Sequence, residues 1–172
     1  IEEGGVTPNV IPDRVVLNYY PRAASMEDLE TLVENTLRLL KGVTYGTNTK
    51  YTAMQRFDTY AELHYGKTAV HTLMDIFKDL GMEAEEVPYP SGASDAGNVD
   101  LVIPAFHLGI KGSDSFVDIH TVEFEKLMYG ERAKQTLRDG AKVIANFLYQ
   151  TATQPELMEQ IILDWKKYRK KE

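Results

Sequence analysis

Val99-Asp100-Leu101-Val102-Ile103-Pro104-Ala105-Phe106-His107-Leu108 decides the fold class. Its apolar run, Leu101-Val102-Ile103 and then Ala105-Phe106, has the composition of a buried parallel strand. A helix is expected ahead of it from Lys67 to Leu80, with Val70, Leu73, Met74, Phe77 and Leu80 on one face and Gly81 as the stop. Glu83 to Pro88 is a short strand candidate between the two. Beyond the run, a long helix is expected from about Phe124 through Tyr149, broken near Gly130. A last helix, Pro155 to Lys170, carries Leu157, Ile161, Trp165 and Tyr168 on one stripe. Helix and strand in alternation indicate a doubly wound α/β layer. Two or three strands are too few for a stable open sheet, so further strands are expected from outside this sequence.

Upstream of residue 56 the pattern changes. Gly4-Gly5, Pro8-Asn9 and Pro12-Asp13 are turn signals. Arg14 to Tyr20 is rich in β-branched and aromatic residues and reads as a strand. Ser25 is an N-cap candidate with Asp28 three residues on, a variant of the capping box. The helix that follows places Leu29, Leu32, Val33, Thr36, Leu37 and Leu40 on one stripe and is expected to end at Gly42. Val43 to Ala53, rich in Thr and Tyr, is a further strand candidate. Residues 1–55 are therefore expected to form part of a small α+β domain, and 56–172 the α/β unit.

Composition narrows the function classes. A net charge of -7 disfavours a nucleic-acid binder, which needs a basic face for phosphates. The run Lys166-Lys167-Tyr168-Arg169-Lys170-Lys171 fits a helix C-terminus, where cations oppose the negative dipole end. No apolar run is long enough to span a membrane and no signal peptide is visible, so a cytoplasmic protein is expected. The absence of cysteine excludes disulfides and thiolate metal sites. The chain opens on Ile1 rather than Met, from which a truncated or processed product is expected.

Ligand sites in α/β sheets lie beyond the carboxyl ends of strands. Two loops meet that condition here: Ser91 to Asn98, and Gly109 to His120. His107 and His120 flank the second loop and are candidates to converge, with Asp114, Asp118, Glu123 and Glu125 as nearby carboxylates. His64 and His71, seven apart, would sit about 10 Å apart along a helix, too far to share one metal ion. A hydrolytic zinc site takes three or more protein ligands plus a water, and no such set is evident. Gly92-x-Ser94 lacks the third glycine of a nucleophile elbow, and neither a P-loop nor G-x-G-x-x-G occurs.

Three stretches, in order, carry a family resemblance. Gly4-Gly5-Val6-Thr7-Pro8-Asn9-Val10-Ile11-Pro12-Asp13 with Tyr19-Tyr20-Pro21-Arg22-Ala23 resembles the lid-domain signature of the aminoacylase/carboxypeptidase metallopeptidases. Ser94-Asp95-Ala96-Gly97-Asn98-Val99 with Ile103-Pro104-Ala105-Phe106-His107, and then His120-Thr121-Val122-Glu123-Phe124, resembles a narrower subgroup. That subgroup contains the p-aminobenzoyl-glutamate hydrolase B subunit and the aminoacylase-1-like dipeptidases.

The resemblance implies the C-terminal part of a doubly wound zinc-exopeptidase-like sheet, plus part of a lid that also dimerises. It implies a parent amidohydrolase acting on N-acyl amino acids or dipeptide-like substrates with two metal ions, zinc or manganese. On this basis His120 is a metal ligand, Asn9 and Arg22 hold substrate, Arg22 through a carboxylate, and Asp95, Asn98 and His107 line the pocket. The family's other metal ligands and its glutamate base have no counterpart in this sequence. The chain alone is thus expected to be inactive, with no catalytic residue of its own. The alternative is a non-catalytic dimerisation module that retains the lid surface.

Overall fold

Ser25 begins the first helix, α1 (Met26–Thr47). Its Oγ accepts from the Asp28 backbone N–H at 3.1 Å and donates to the Asp28 carboxylate at 2.8 Å, a reciprocal cap at the start of the helix. The expected stop at Gly42 is corrected: α1 runs on to Thr47, and Val43 to Thr47 is helical rather than strand. A glycine inside a helix costs only about 1 kcal/mol. The threonines that suggest a strand bond back to the preceding turn, Thr44 Oγ1 to the Leu40 carbonyl at 2.9 Å and Thr47 Oγ1 to that of Val43 at 2.8 Å. Asn48 ends the helix in the left-handed region (φ 55°), its N–H reaching the carbonyls of Thr44 and Tyr45.

This computed structural model describes residues 1–87 and 92–169. They fall into two compact units, Ile1–Thr59 and Tyr60–Glu172. In the first unit the expected strand over Arg14 to Tyr20 reduces to one antiparallel bridge between Val16 and Glu3. Val15, Leu17, Tyr19 and Tyr20 are all exposed, so neither face of that segment has a sheet or core to rest on. None of the first unit's apolar side chains is buried, the α1 stripe included.

The second unit is built on three helices. α2 (Lys67–Asp79), α5 (Glu131–Thr153) and α6 (Pro155–Arg169) pack pairwise against one another. Leu73, Ile76 and Val143 form the buried centre, with Phe77, Leu80, Met82, Leu108, Ile110 and Phe147 packed against it. α2 leaves through Gly81 at φ +71°, a conformation that glycine adopts without penalty. α4 (Val122–Leu127) and α5 are separated at Gly130, where the sequence suggests the break. Proline at the first position of α6 loses no hydrogen bond there, because that N–H has no helical partner.

The strand expected over Val99 to Leu108 is corrected locally. Val99 and Asp100 close a short helix, α3 (Ala96–Asp100), and Leu101 to Ile103 turn out of it. Asp100 and Pro104 interrupt the apolar run at the points where a buried central strand tolerates neither. Ala105 to Ile110 has no ladder partner among the described residues. It lies instead along α5: Phe106 meets Phe147 edge-on at 5.6 Å, and the Lys111 carbonyl accepts from Thr136 Oγ1 at 3.2 Å. Residues 83–87 are likewise without a ladder. Pro88, Ser91, Lys170 and Lys171, which figure in the expectations above, lie outside the described residues.

Candidate functional site

The short helix α3 carries two of the candidate pocket residues. Ser94 opens it, its Oγ accepting from the Ala96 N–H at 3.3 Å, whereas Asp95 makes no side-chain cap and stays exposed. Asn98 Oδ1 accepts from the Ala61 N–H at 3.3 Å, so its amide is engaged with the protein's own backbone. Between them Gly97 lies against the Ala61 backbone so closely that a Cβ would sit 1.9 Å from the Ala61 carbonyl oxygen. Only glycine permits that approach.

Asp100, at the end of α3, is completely buried and gathers three segments. Its carboxylate accepts from the backbone N–H groups of His64 at 3.3 Å and Ala105 at 3.1 Å, and from Arg169 Nη2 at 2.5 Å. Its carbonyl accepts from Trp165 Nε1 at 2.8 Å and from Arg169 Nε at 3.2 Å. The Arg169 side chain is 12% exposed, so this is a largely buried charge pair in which two guanidinium N–H groups grip one residue. His64 stacks on Tyr168 at 5.7 Å, and its Nδ1 is buried without a hydrogen-bond partner.

His107 is reached through the same region. The Tyr65 hydroxyl donates to the His107 carbonyl at 3.3 Å, and the Tyr65 ring stacks on Phe106 at 6.4 Å. Burial raises the pKa of the Tyr65 phenol above its ordinary value, and the charge of Asp100 adds to the rise. The His107 ring itself is exposed. The segments that carry Asn98 and the His107 carbonyl are thus tied together through Ala61, Tyr65 and Asp100, while the exposed Asp95 side chain is not among those contacts.

His120 stands elsewhere, at the head of α4. Thr121 caps that helix, accepting from the Phe124 N–H at 3.1 Å while donating to the Asp118 carbonyl at 2.7 Å. This turn holds His120 exposed and at φ +66°. Asn48 is the other non-glycine residue at positive φ among the described residues, and helix termination accounts for it. His120 takes its positive φ in the turn that leads into the α4 cap, and the left-handed conformation costs a residue with a Cβ about 1–2 kcal/mol. An open recess of about 510 Å³ with largely apolar walls, including Ile110, Phe116, Ile119 and Met128, adjoins this turn. No hydrogen bond, ion pair or ring contact joins His107 to His120 among the described residues.

In the first unit, Asn9 sits in a turn closed by the Val10 N–H to the Thr7 carbonyl at 3.3 Å, with Pro8 at the position that favours proline. Arg22 is exposed in the irregular segment before α1. No group of three or more His, Cys, Asp or Glu side chains is placed to hold a metal ion among the described residues. The residues present therefore do not by themselves fit a resident metal, and His120 is at most one ligand of a larger set. Among the described residues, no helix is long and apolar enough to cross a membrane.

Sequence reasoning does not assemble Asp100, Arg169 and Trp165 into a unit. The signal it offers is a lone aspartate inside an apolar run, which must find a partner if buried.

Comparison with known proteins relates the chain to dipeptidases, hydrolases of peptide bonds, over nearly its whole length. It is 29% identical over 171 residues to Xaa-Arg dipeptidase of Mus musculus and 30% identical over 175 residues to Xaa-Arg dipeptidase of Homo sapiens. Each match takes in 96% of this chain, and the chain spans 39% of the length of each relative. No family model matches.

Proposed function

We propose that this chain is the C-terminal portion of a metal-dependent amidohydrolase that cleaves an amide bond in N-acyl amino acids or dipeptide-like substrates. The observation that carries the reading is the similarity to Xaa-Arg dipeptidases across 96% of the chain. His120, held exposed at a backbone angle with local cost, supports a ligand role, because such strain persists where a side chain must be aimed. In this reading residues 56–172 belong to a doubly wound catalytic domain whose sheet is completed by strands outside this sequence. Residues 1–55 belong to a lid.

The chain's own contribution is to hold substrate. Arg22 pairs with a substrate carboxylate through its fork of N–H donors, Asn9 adds a hydrogen bond from the lid, and Asp95, Asn98 and His107 line the pocket. Zinc or manganese in the assembled protein would supply activation of water and polarisation of the amide carbonyl. His120 is the ligand this chain would add, and with one ligand the chain alone is inert.

The test compares the purified chain with the full-length protein, each given zinc or manganese and N-acyl amino acids or dipeptides. Turnover by the longer protein alone, lost in His120→Ala, is expected. Metal-dependent turnover by the chain alone, abolished by His120→Ala, would overturn the proposal of an inert portion. Inactivity of the longer protein would overturn the hydrolase reading. A second reading, a non-catalytic module that pairs with another copy, is favoured by one observation. Leu32, Val33 and Leu37 on the α1 stripe remain 37–38% exposed, an apolar face with no cover in its own unit.

A further inference from the structure

We infer that Asp100, through its buried pair with Arg169, is the positioning residue for the pocket loop that carries Asn98 and His107. The inference rests on the proposed hydrolase reading, which alone gives that loop a substrate to meet. Three observations lead to it. Asp100 sits at the end of α3, two residues from Asn98, so whatever fixes Asp100 fixes the phase of that short helix. Its Oδ1 accepts from Ala105, which steers the chain leaving α3 toward Phe106 and His107. Its Oδ2 and carbonyl are held by the last turn of α6 through Arg169 and Trp165, elements of the three-helix core that carry no candidate site residue.

A five-residue helix cannot hold its own orientation, because nucleation costs more than one turn returns. Here the orientation is borrowed from α6. The two-pronged grip matters. Arg169 reaches the carboxylate and the carbonyl of one residue, which fixes rotation as well as distance. A lysine, with a single charged point, would fix distance only.

A packing role and a positioning role predict different things for a variant that is stable but ungripped. Arg169→Met alone strands a buried carboxylate and is expected to impair folding. The double variant Asp100→Asn/Arg169→Met removes both charges at once, so no uncompensated charge is left buried, and the Asn oxygen still accepts from the Ala105 N–H. In the full-length protein loaded with metal, the double variant is expected to stay folded and to melt a few degrees below the wild type, because the His64 N–H loses its acceptor. Its KM should nonetheless rise about tenfold or more with kcat changed far less, since small misplacements of substrate-holding groups are costly. Amide exchange at Gly97 to Ala105 in the same variant should also become faster by about tenfold.

A double variant with wild-type KM, wild-type exchange and wild-type stability would overturn the inference, leaving Asp100 as packing. So would unchanged exchange in the folded double variant, a readout that needs no substrate. A wild-type protein without turnover would instead defeat the hydrolase reading, and the exchange arm would still decide whether Asp100 grips the loop.

Discussion

Gly97→Ala tests whether α3 is seated on Ala61 as tightly as the geometry requires. Two effects oppose each other. Alanine in place of glycine favours a helix by about 1 kcal/mol, part of it through the unfolded chain. Against this, the new methyl would lie 1.9 Å from the Ala61 carbonyl oxygen and 2.6 Å from its carbon. Both atoms are backbone, so no side chain can swing aside, and the two segments must part by about 1 Å or more to reach ordinary contact. Overpacking of this kind costs about 1–3 kcal/mol. Parting also breaks the Ala61 N–H to Asn98 bond, about 1 kcal/mol, and stretches the bonds of Asp100 to His64 and Ala105. The steric term wins, and a net loss of about 2–3 kcal/mol is expected, a fall of roughly 5–10 °C in Tm for a chain of this size. Thermal and urea unfolding measure it. The single tryptophan supplies a local probe, because Trp165 Nε1 donates to the Asp100 carbonyl and its emission should shift as α3 moves. A Gly97→Ala protein that melts at or above the wild type would refute the argument, showing that propensity prevails and α3 is loosely held.

Four further outcomes follow from the same geometry. Asp164 caps α2 from a neighbouring helix, accepting from Thr68 N–H at 3.0 Å and Thr68 Oγ1 at 2.6 Å; these bonds hold its pKa below the ordinary value. Its contribution to stability is therefore present above the unfolded value of about 3.9 and lost as pH falls through the lower folded one. Asp164→Asn should flatten the acid limb of a pH–stability curve, and an unchanged limb would exclude the cap as its source. Gly66→Ala would place a Cβ 2.9 Å from that of Asp164. That Cβ is fixed by its own backbone, but the overlap is far smaller than at Gly97, so a loss of about 1–2 kcal/mol, smaller than that of Gly97→Ala, is expected by urea unfolding. His120→Gly should raise stability by about 1 kcal/mol by releasing the left-handed backbone while abolishing turnover of the full-length protein, whereas His120→Ala removes the ring without that gain. Arg22→Ala in the full-length protein should raise KM about thirtyfold on carboxylate-bearing substrates, the loss of about 2 kcal/mol for a charge-assisted bond, and an unchanged KM would remove Arg22 from the site.

How much of this is legible in the sequence differs between local caps and longer-range structure. Ser25, Gly81 and Gly130 act within a few residues of themselves, and their signals translate directly into the ends of α1, α2 and α5. The apolar periodicity of Lys67 to Leu80 likewise finds its core, because α5 and α6 in the same chain supply the cover. Strand readings depend on a neighbour that sequence cannot name. Arg14 to Tyr20 has the composition of a strand and keeps one bridge, since a ladder is a property of two segments. Gly42 misleads because a helix stop requires somewhere to go. α1 continues past it, and past Gly46, to Asn48, which tolerates the left-handed turn that ends the helix.

The candidate site shows the same division more sharply. Motif singles out Asn98 and Asp95, yet the side-chain oxygen of Asn98 is occupied by the Ala61 N–H, while the residue that organises their loop is Asp100. Nothing near Asp100 in sequence announces this, because its partner Arg169 lies at the far end of the chain. By composition Arg169 belongs with its neighbours to a solvated basic run opposing a helix dipole, and Lys166 and Lys167, both exposed, fit that reading. Within one turn of one helix, then, the same charge does two jobs according to which way it faces. A run of like charges identifies a helix end, but a buried acid elsewhere decides which of its members is drawn inward. The aspartate inside an apolar run is out of place locally and, if buried, must find an opposite charge, but the arginine that meets it is indistinguishable by sequence from the basic residues around it, so the pairing is visible only in the fold.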